Sequence, residues 1–277
     1  MKPVDGVLCL PAGAHVVDAF AWRDEGGLPT HECLPVEVPV ALEYNGVSHA
    51  VMLATPADLE DFALGFSLTE GLIDDRADLL DVEPEPRGEG IVLHLRITAR
   101  CQARLKLRRR NLAGRTGCGL CGTDSLDQVL RVPARPLPPT PVTLAALQRA
   151  VRELAQGQPL QHATGATHAA AWCDAAGALH IVREDVGRHN ALDKMVGALA
   201  RAALDAGSGL VAVTSRASVE MVQKTVAAGV PVLAAMSAPT ALAVASARSA
   251  GLLLAGFVRD ERATVYCGAE RVIEPRR

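Results

Sequence analysis

Three apolar runs near the end of the chain, "GLVAVTS", "VPVLAAMS" and "LLLAGFV", are separated by segments at about 216–228 and 239–250 with the length and composition of helices. A strand–helix–strand–helix–strand succession forces parallel strands joined by right-handed crossovers. A further helix at about 190–205 precedes the series, and "ATVYCG" closes it as a last strand. Upstream, "HAAAWC" and "ALHIVRE" form a hairpin turning at 174–177, after an amphipathic helix at about 143–156. Apolar residues make up 49% of the chain but aromatics only 3%, so Ala, Val and Leu must fill the core. That is the composition of tightly packed α/β layers, and the expected fold class is α/β. At 277 residues about 75% of the unfolded surface can be buried.

The run Thr225–Ala247 carries no charge and is long enough to span a bilayer. Pro231, Ser237, Pro239 and Thr240 interrupt it, and it reads as a buried strand followed by a buried helix. No membrane association is expected.

The first hundred residues differ in character. "VEVPVALEYNGVSHAVMLAT" is two β-prone runs flanking Asn45-Gly46, a pair that accepts the positive φ angles of a type I′ turn. Thr55 is placed to cap a helix with Pro56 at its first position and Asp58 three residues on; Gly71 ends it. "IVLHLRI" is another strand. Residues 15–100 are therefore expected to form a smaller, β-rich α+β subdomain. Residues 101–140 read as a basic, Gly-rich loop followed by the stiff linker "PARPLPPTP", and 141–277 as the α/β domain.

Seven cysteines spread from Cys9 to Cys267 do not make a disulfide framework in a chain with so large a core. The opening segment lacks the apolar run of a secretory signal, so a reducing, cytoplasmic location is expected. A net charge of -3 gives no general attraction to nucleic acid.

Charge is nevertheless uneven. Between Glu89 and Asp124 there is no acid, while Arg96, Arg100, Arg104, Lys106, Arg108, Arg109, Arg110 and Arg115 are all basic. This segment ends in "GRTGCGLCG", where Cys118 and Cys121 stand among glycines. Structural zinc needs four ligands, and no second C-x-x-C occurs; a thioredoxin-like pair usually has bulkier spacing residues. Basic neighbours favour the thiolate and glycines grant access, as sulfur transfer requires. On these residues sulfur carriage stands ahead of metal binding, with both open. The glycines and like charges predict mobility from about Arg100 to Asp124.

In open α/β sheets, ligands bind beyond the carboxyl ends of strands, where helix starts offer free N–H groups to anions. "EDVGRHN", "TSRAS" and "MSAPT" lie at such corners and bring Arg188, His189, Ser215 and Arg216. Ser and Thr at helix starts are ordinarily caps, and a single His there is ordinarily structural. Three corners on one edge raise the case for an anion cleft.

Read together, "GRTGCGLCG", "THAAAWC", "EDVGRHNALDKMVG", "TSRASVEMVQKTVAAGVPVL" and "GFVRDERATVY" resemble the formate dehydrogenase accessory sulfurtransferases, the FdhD proteins. The likeness runs from about Glu37 to Tyr266. It implies a cytidine-deaminase-like α/β fold with a mixed sheet flanked by helices, and a homodimer. It also implies a sulfurtransferase that takes persulfide sulfur from a cysteine desulfurase and passes it to the bis-molybdopterin guanine dinucleotide cofactor of formate dehydrogenase. By that resemblance Cys118 carries the persulfide with Cys121 as partner. Phe257, Val258, Arg259, Asp260, Glu261 and Arg262 form the cofactor-binding segment, GDP is a mimic of the cofactor, and no permanent metal is implied. Glu261 departs from the glycine that relatives tend to have before the arginine. The alternative is a zinc-stabilised cofactor-binding chaperone that transfers no sulfur.

Overall fold

The computed structural model describes residues 10–24, 26–113, 135–259 and 262–274, with backbone only over 108–113. Cys118, Cys121, Asp260 and Glu261 lie outside the described residues.

The larger sheet has six strands: β8 (His168–Asp174), β9 (Leu179–Asp185), β10 (Gly209–Val213), β11 (Val232–Ala235), β12 (Leu253–Arg259) and β13 (Arg262–Cys267). Their order is β13-β12-β11-β10-β8-β9. The β10-β11 and β11-β12 pairs are parallel, as the crossover argument requires; the flanking pairs are antiparallel, so the sheet is mixed.

Side chains alternate between two buried faces. Ala170, Trp172, Val211, Val213, Leu233, Ala235 and Leu254 pack under helices α5 (Arg188–Arg201), α6 (Val219–Ala228) and α7 (Ala241–Ala250). Ala169, Ala171, Cys173, Leu210, Ala212, Val232, Ala234 and Leu253 pack on α3 (Leu144–Gln156), which follows the short strand β7 (Val142–Thr143) and precedes the short helix α4 (Pro159–Thr164); its N-cap Thr143 accepts the Ala146 N–H at 3.0 Å. A strand buried on both faces has no polar alternation, which is why these runs read as continuously apolar. The uncharged Thr225–Ala247 stretch resolves into the end of α6, β11 and the start of α7. No helix among the described residues is long and apolar enough to cross a membrane.

The smaller sheet, β4-β3-β6-β5, is built from β3 (Val38–Tyr44), β4 (Val47–Ala54), β5 (Leu79–Arg87) and β6 (Gly90–Ile97). Asn45 at φ 49 and Gly46 at φ 76 make the turn, and the Asn45 amide brackets the Ile97 backbone at 2.9 and 3.1 Å. Its core includes Leu42, Tyr44, Phe62, Phe66, Leu93 and Leu95, beneath α1 (Leu59–Thr69) and α2 (Ala99–Ala113).

Two expectations change here, and one feature is new. Thr55 does not cap α1: the helix starts at Leu59 from Asp58, which has φ 53. Thr55 is fully buried and its N–H donates to Asp185 Oδ2 at 3.0 Å, a partner 130 residues away that outweighs a local cap. Residues 101–113 are helix rather than loop, because Cys101 and Leu105 bury one turn apart while Arg100 and Arg104 pair with Asp74 and Asp78. A third feature had no counterpart in the sequence reading: β1 (Ala14–Arg23) and β2 (Gly26–Pro35) form a separate antiparallel ribbon. Phe20 and Trp22 lie on its surface.

The two units are joined mainly where α1 crosses α5. A Cβ on Gly65 would overlap the Asp193 carbonyl oxygen, and one on Gly197 the Asp61 carbonyl oxygen. Gly→Ala inside a helix ordinarily stabilises by about 0.5–1 kcal/mol. Here Gly197→Ala is expected to cost about 1–3 kcal/mol instead, because the backbones must separate. Urea unfolding reads the sign directly, and a stabilised variant would show that the close crossing is not needed.

Candidate functional site

One edge of the six-stranded sheet collects the chemistry. The carboxyl ends of β9, β10, β11 and β12 reach it, as do the starts of the antiparallel strands β8 and β13. The helices that follow β9, β10 and β11 therefore all begin there, with their positive dipole ends at the rim. Gly187, which precedes α5, and Ser218, which precedes α6, make no side-chain cap, whereas Thr240 caps α7 through the Ala243 N–H at 3.2 Å.

The rim is continuous. Ala217 bridges Pro239, its N–H donating to the Ala238 carbonyl at 3.3 Å while its own carbonyl accepts the Thr240 N–H at 3.1 Å. The Phe257 N–H reaches the Ser237 carbonyl at 3.3 Å. Phe257 has φ 50, a left-handed conformation costly for a bulky residue, and the residue is 36% exposed. Such strain persists where surroundings impose it, commonly at ligand clamps. A register shift between Gly256 and Arg259 then sets Arg259 opposite Arg262, both exposed. Like charges directly opposite are unfavourable without an anion to share.

The site residues are thus not equivalent. Phe257, Arg259, Arg262 and Arg216 are exposed at the rim. The Val258 side chain is fully buried in the core, so it has only its main chain to offer a ligand. Ser215 is 5% exposed and its hydroxyl donates to the Arg216 carbonyl at 3.0 Å.

"EDVGRHN" divides in two. Asp185 and Asn190 turn inward: Asp185 Oδ2 meets Lys194 Nζ at 2.7 Å, both fully buried, and Asn190 Nδ2 donates to Asp185 Oδ1 at 2.9 Å and the Leu53 carbonyl at 2.8 Å. Lys194 also donates to the Thr55 carbonyl at 2.9 Å. This half of the motif attaches the smaller sheet to the larger domain. His189 stays at the edge, its Nε2 3.0 Å from Glu220 Oε2. Partial burial, with Arg188 nearby, holds His189 below the usual imidazole range despite Glu220. Burial, Arg188 and His189 do the same to His168. One turn deeper, Asp193 Oδ2 meets Lys224 Nζ at 2.9 Å, continuing the seam between α5 and α6.

A cleft of about 740 Å³ lies elsewhere, between the start of α1 and the end of α5. Its guanidinium groups are engaged internally: Arg183 binds Asp61 at 2.7 and 2.8 Å and Arg201 binds Asp61 at 3.1 Å. The rim has the better chemistry for an anion. Among the described residues, Asp74, Asp78 and Cys101 could gather around a metal ion, but arginines hold both carboxylates. Of the described cysteines, Cys101 and Cys173 are buried; burial pushes the Cys173 thiol up to about 12 and raises that of Cys267.

A family model for the FdhD/NarQ family matches residues 35–273. The chain belongs to that family. It is 53% identical over 266 residues to a protein of Bordetella petrii named sulfur carrier protein FdhD, covering 95% of this chain and 96% of that one. It is 56% identical over 267 residues to the protein of that name from Variovorax paradoxus (96% and 93% covered). The corresponding protein of Cupriavidus necator is 59% identical over 251 residues (91% and 87%). A solved structure described as a putative formate dehydrogenase accessory protein from Desulfotalea psychrophila superposes with a TM-score of 0.75 over 94% of this chain and 99% of that chain, at 23% identity. At that identity the superposition shows a shared fold.

Proposed function

We propose that this FdhD/NarQ family member is a sulfur carrier for formate dehydrogenase maturation. It takes sulfur as a persulfide on Cys118 from a cysteine desulfurase and delivers it to bis-molybdopterin guanine dinucleotide bound at the rim. The observation that carries the reading is the opposed pair Arg259 and Arg262 on the same sheet edge as the uncapped starts of α5 and α6, in a chain whose relatives are named sulfur carriers. A diphosphate is an anion of the size and charge this donor set favours.

The chemistry balances without net redox in the loading step. The Cys118 thiolate attacks the outer sulfur of the desulfurase persulfide; one S–S bond forms, one breaks, and the electron pair leaves on the desulfurase cysteine as thiolate. In delivery, attack of the Cys121 thiolate on the Cys118 sulfur releases the outer sulfur as hydrosulfide and leaves a Cys118–Cys121 disulfide. A thiol reductant resets it. The high thiol pKa of buried Cys173 makes it a poor carrier.

Titration calorimetry with GDP at fixed salt tests the binding half. A charge-assisted hydrogen bond contributes about 1.5–3 kcal/mol, so Arg262→Ala is expected to weaken binding roughly ten- to a hundredfold while persulfide loading survives. Glu261→Gly tightens binding if the acid repels phosphate and weakens it if the acid holds an arginine in place. Unchanged affinity in both variants would remove this segment from the cofactor site.

A further inference from the structure

Two apolar surfaces in the first hundred residues are left uncovered by the rest of the chain. The first is the ribbon of β1 and β2. Two strands alone are at best marginally stable in water, and this pair forms a sheet of its own. The register sets Phe20 opposite Pro29 and Trp22 opposite Gly27, so Phe20 and Trp22 share one face near the turn, with ring centroids 5.7 Å apart. Trp22 is 78% exposed and Phe20 53%. The chain has only two tryptophans, and the other, Trp172, is buried. All of the ribbon but Pro35 lies before residues 35–273, the span that the family model matches.

The second surface is an edge of the four-stranded sheet. Among the described residues β4 pairs only with β3 and β5 only with β6, so both are edge strands. The two edges are built differently. β5, "LLDVEPEPR", carries Asp81, Glu83, Glu85 and Arg87 together with Pro84 and Pro86, the charges and prolines that ordinarily keep another strand from adding. β4, "VSHAVMLA", has no acid, lysine, arginine or proline. Its Ala50 and Met52 turn to the core, so Val51 and Leu53 point outward, 61% and 57% exposed, opposite Ala41 and Pro39 of β3. An apolar edge without such protection marks a contact surface or an aggregation site.

The two surfaces stay exposed within one chain, so they do not cover each other there. Their placement lets two chains do it. The ribbon is rooted beside the end of β4, where a Cβ on Gly13 would meet the Thr55 side chain, and it packs on α4. Its ten-residue strands extend roughly 33 Å, enough to run the roughly 27 Å of eight-residue β4. A two-fold axis near the root brings the ribbon of each copy to β4 of the other and makes the same contact twice. With about 150–250 Å² for a whole aromatic side chain, Phe20 and Trp22 together expose roughly 300 Å², and Val51 and Leu53 add roughly 200 Å². Made twice, the contact buries roughly 1,000 Å² of apolar surface before any polar rim is counted, which is the size at which a specific interface becomes credible.

We propose that the β1–β2 ribbon is a dimerisation arm: Phe20 and Trp22 of each copy dock on the outward face of β4, at Val51 and Leu53, of a second copy of this chain. The occupant is a second copy because the chain itself supplies both halves of the contact, an aromatic arm and an apolar, uncharged strand that the arm is long enough to cover.

Sedimentation velocity of the full-length protein over a range of concentrations tests this. Wild type is expected to be a dimer. Phe20→Ser/Trp22→Ser and, separately, Val51→Lys/Leu53→Lys are each expected to raise the dissociation constant roughly a hundredfold or more, because apolar anchors are lost from both contacts at once. All four side chains are exposed in the single chain, so both variants are expected to keep a cooperative urea transition. Mixing the two variants restores one of the two contacts, the intact ribbon of one on the intact β4 of the other. A heterodimer is therefore expected, weaker than wild type but tighter than either variant with itself. Fluorescence gives a second reading: Trp172 is buried, so a shift of wild-type emission to longer wavelength on dilution reports Trp22 leaving its contact. A wild type that is monomeric throughout would overturn the proposal and leave the arm to a different protein. A dimer that survives both sets of substitutions would overturn it too. Loss of the dimer in the ribbon variant alone, or no association on mixing, would show that the ribbon does not dock on β4 and would overturn the proposal likewise.

Discussion

Asp185→Ala is expected to destabilise the protein by about 3–5 kcal/mol, the largest loss of any single substitution on the larger domain's surface with the smaller sheet. Asp185 and Lys194 are both fully buried at 2.7 Å, and deleting the carboxylate leaves an ammonium without its counter-charge where water cannot reach it. The same deletion strips partners from the Thr55 N–H, the Gly187 N–H and the Asn190 amide. Each is a buried or half-buried donor with a desolvation cost of its own. Replacing both ions by apolar residues of similar size, as in Asp185→Leu/Lys194→Met, should cost much less than the two single losses combined, because the unpaired charge is then gone. Urea unfolding of the singles and the double measures this. A loss below about 1 kcal/mol in Asp185→Ala would mean that the pair does not fasten the two units.

The same pair shows where the sequence was legible and where it was not. Hydrophobic runs and intervening helices were readable because β10, β11 and β12 are buried on both faces, and burial is written directly into composition. Asn45-Gly46 was readable because its φ angles are a local demand. Thr55 followed by Pro56 also satisfied a local rule, but its partners are Asp185 and Lys194, and a capping pattern carries no information about residues so far along the chain. The helix at Ala99–Ala113 failed for the same reason: its basic residues look like a solvated stretch until Asp74 and Asp78 are brought alongside. An acid at the end of an apolar strand with a lysine nine residues on, inside a buried helix, was the available signal for Asp185 and Lys194.

The structure puts Ser215, Arg216, Phe257, Arg259 and Arg262, named from strand ends and from the resemblance, at one edge of the sheet. Neither foretold that Val258 would turn into the core or that Arg259 would oppose Arg262. Both follow from the register shift between Gly256 and Arg259, which inverts the simple alternation expected of a strand.

Cys118→Ser is expected to abolish activation of formate dehydrogenase altogether, since a hydroxyl neither accepts persulfide sulfur nor holds it. GDP affinity should be unchanged, because the arginines of the rim are intact. Cys121→Ser should load sulfur normally and deliver it poorly, as the attack that releases hydrosulfide is lost. Cys33, half-exposed on the ribbon, is the described cysteine whose substitution forms the fitting control, with no effect on either step expected.

Mass spectrometry of the purified chain after incubation with a cysteine desulfurase and cysteine decides the matter most directly. The carrier reading predicts one added sulfur atom on the peptide containing Cys118, absent in Cys118→Ser and removed by a thiol reductant. Added sulfur on Cys33, Cys173 or Cys267 instead, or stoichiometric zinc bound through Cys118 and Cys121 in the same preparation, would contradict it.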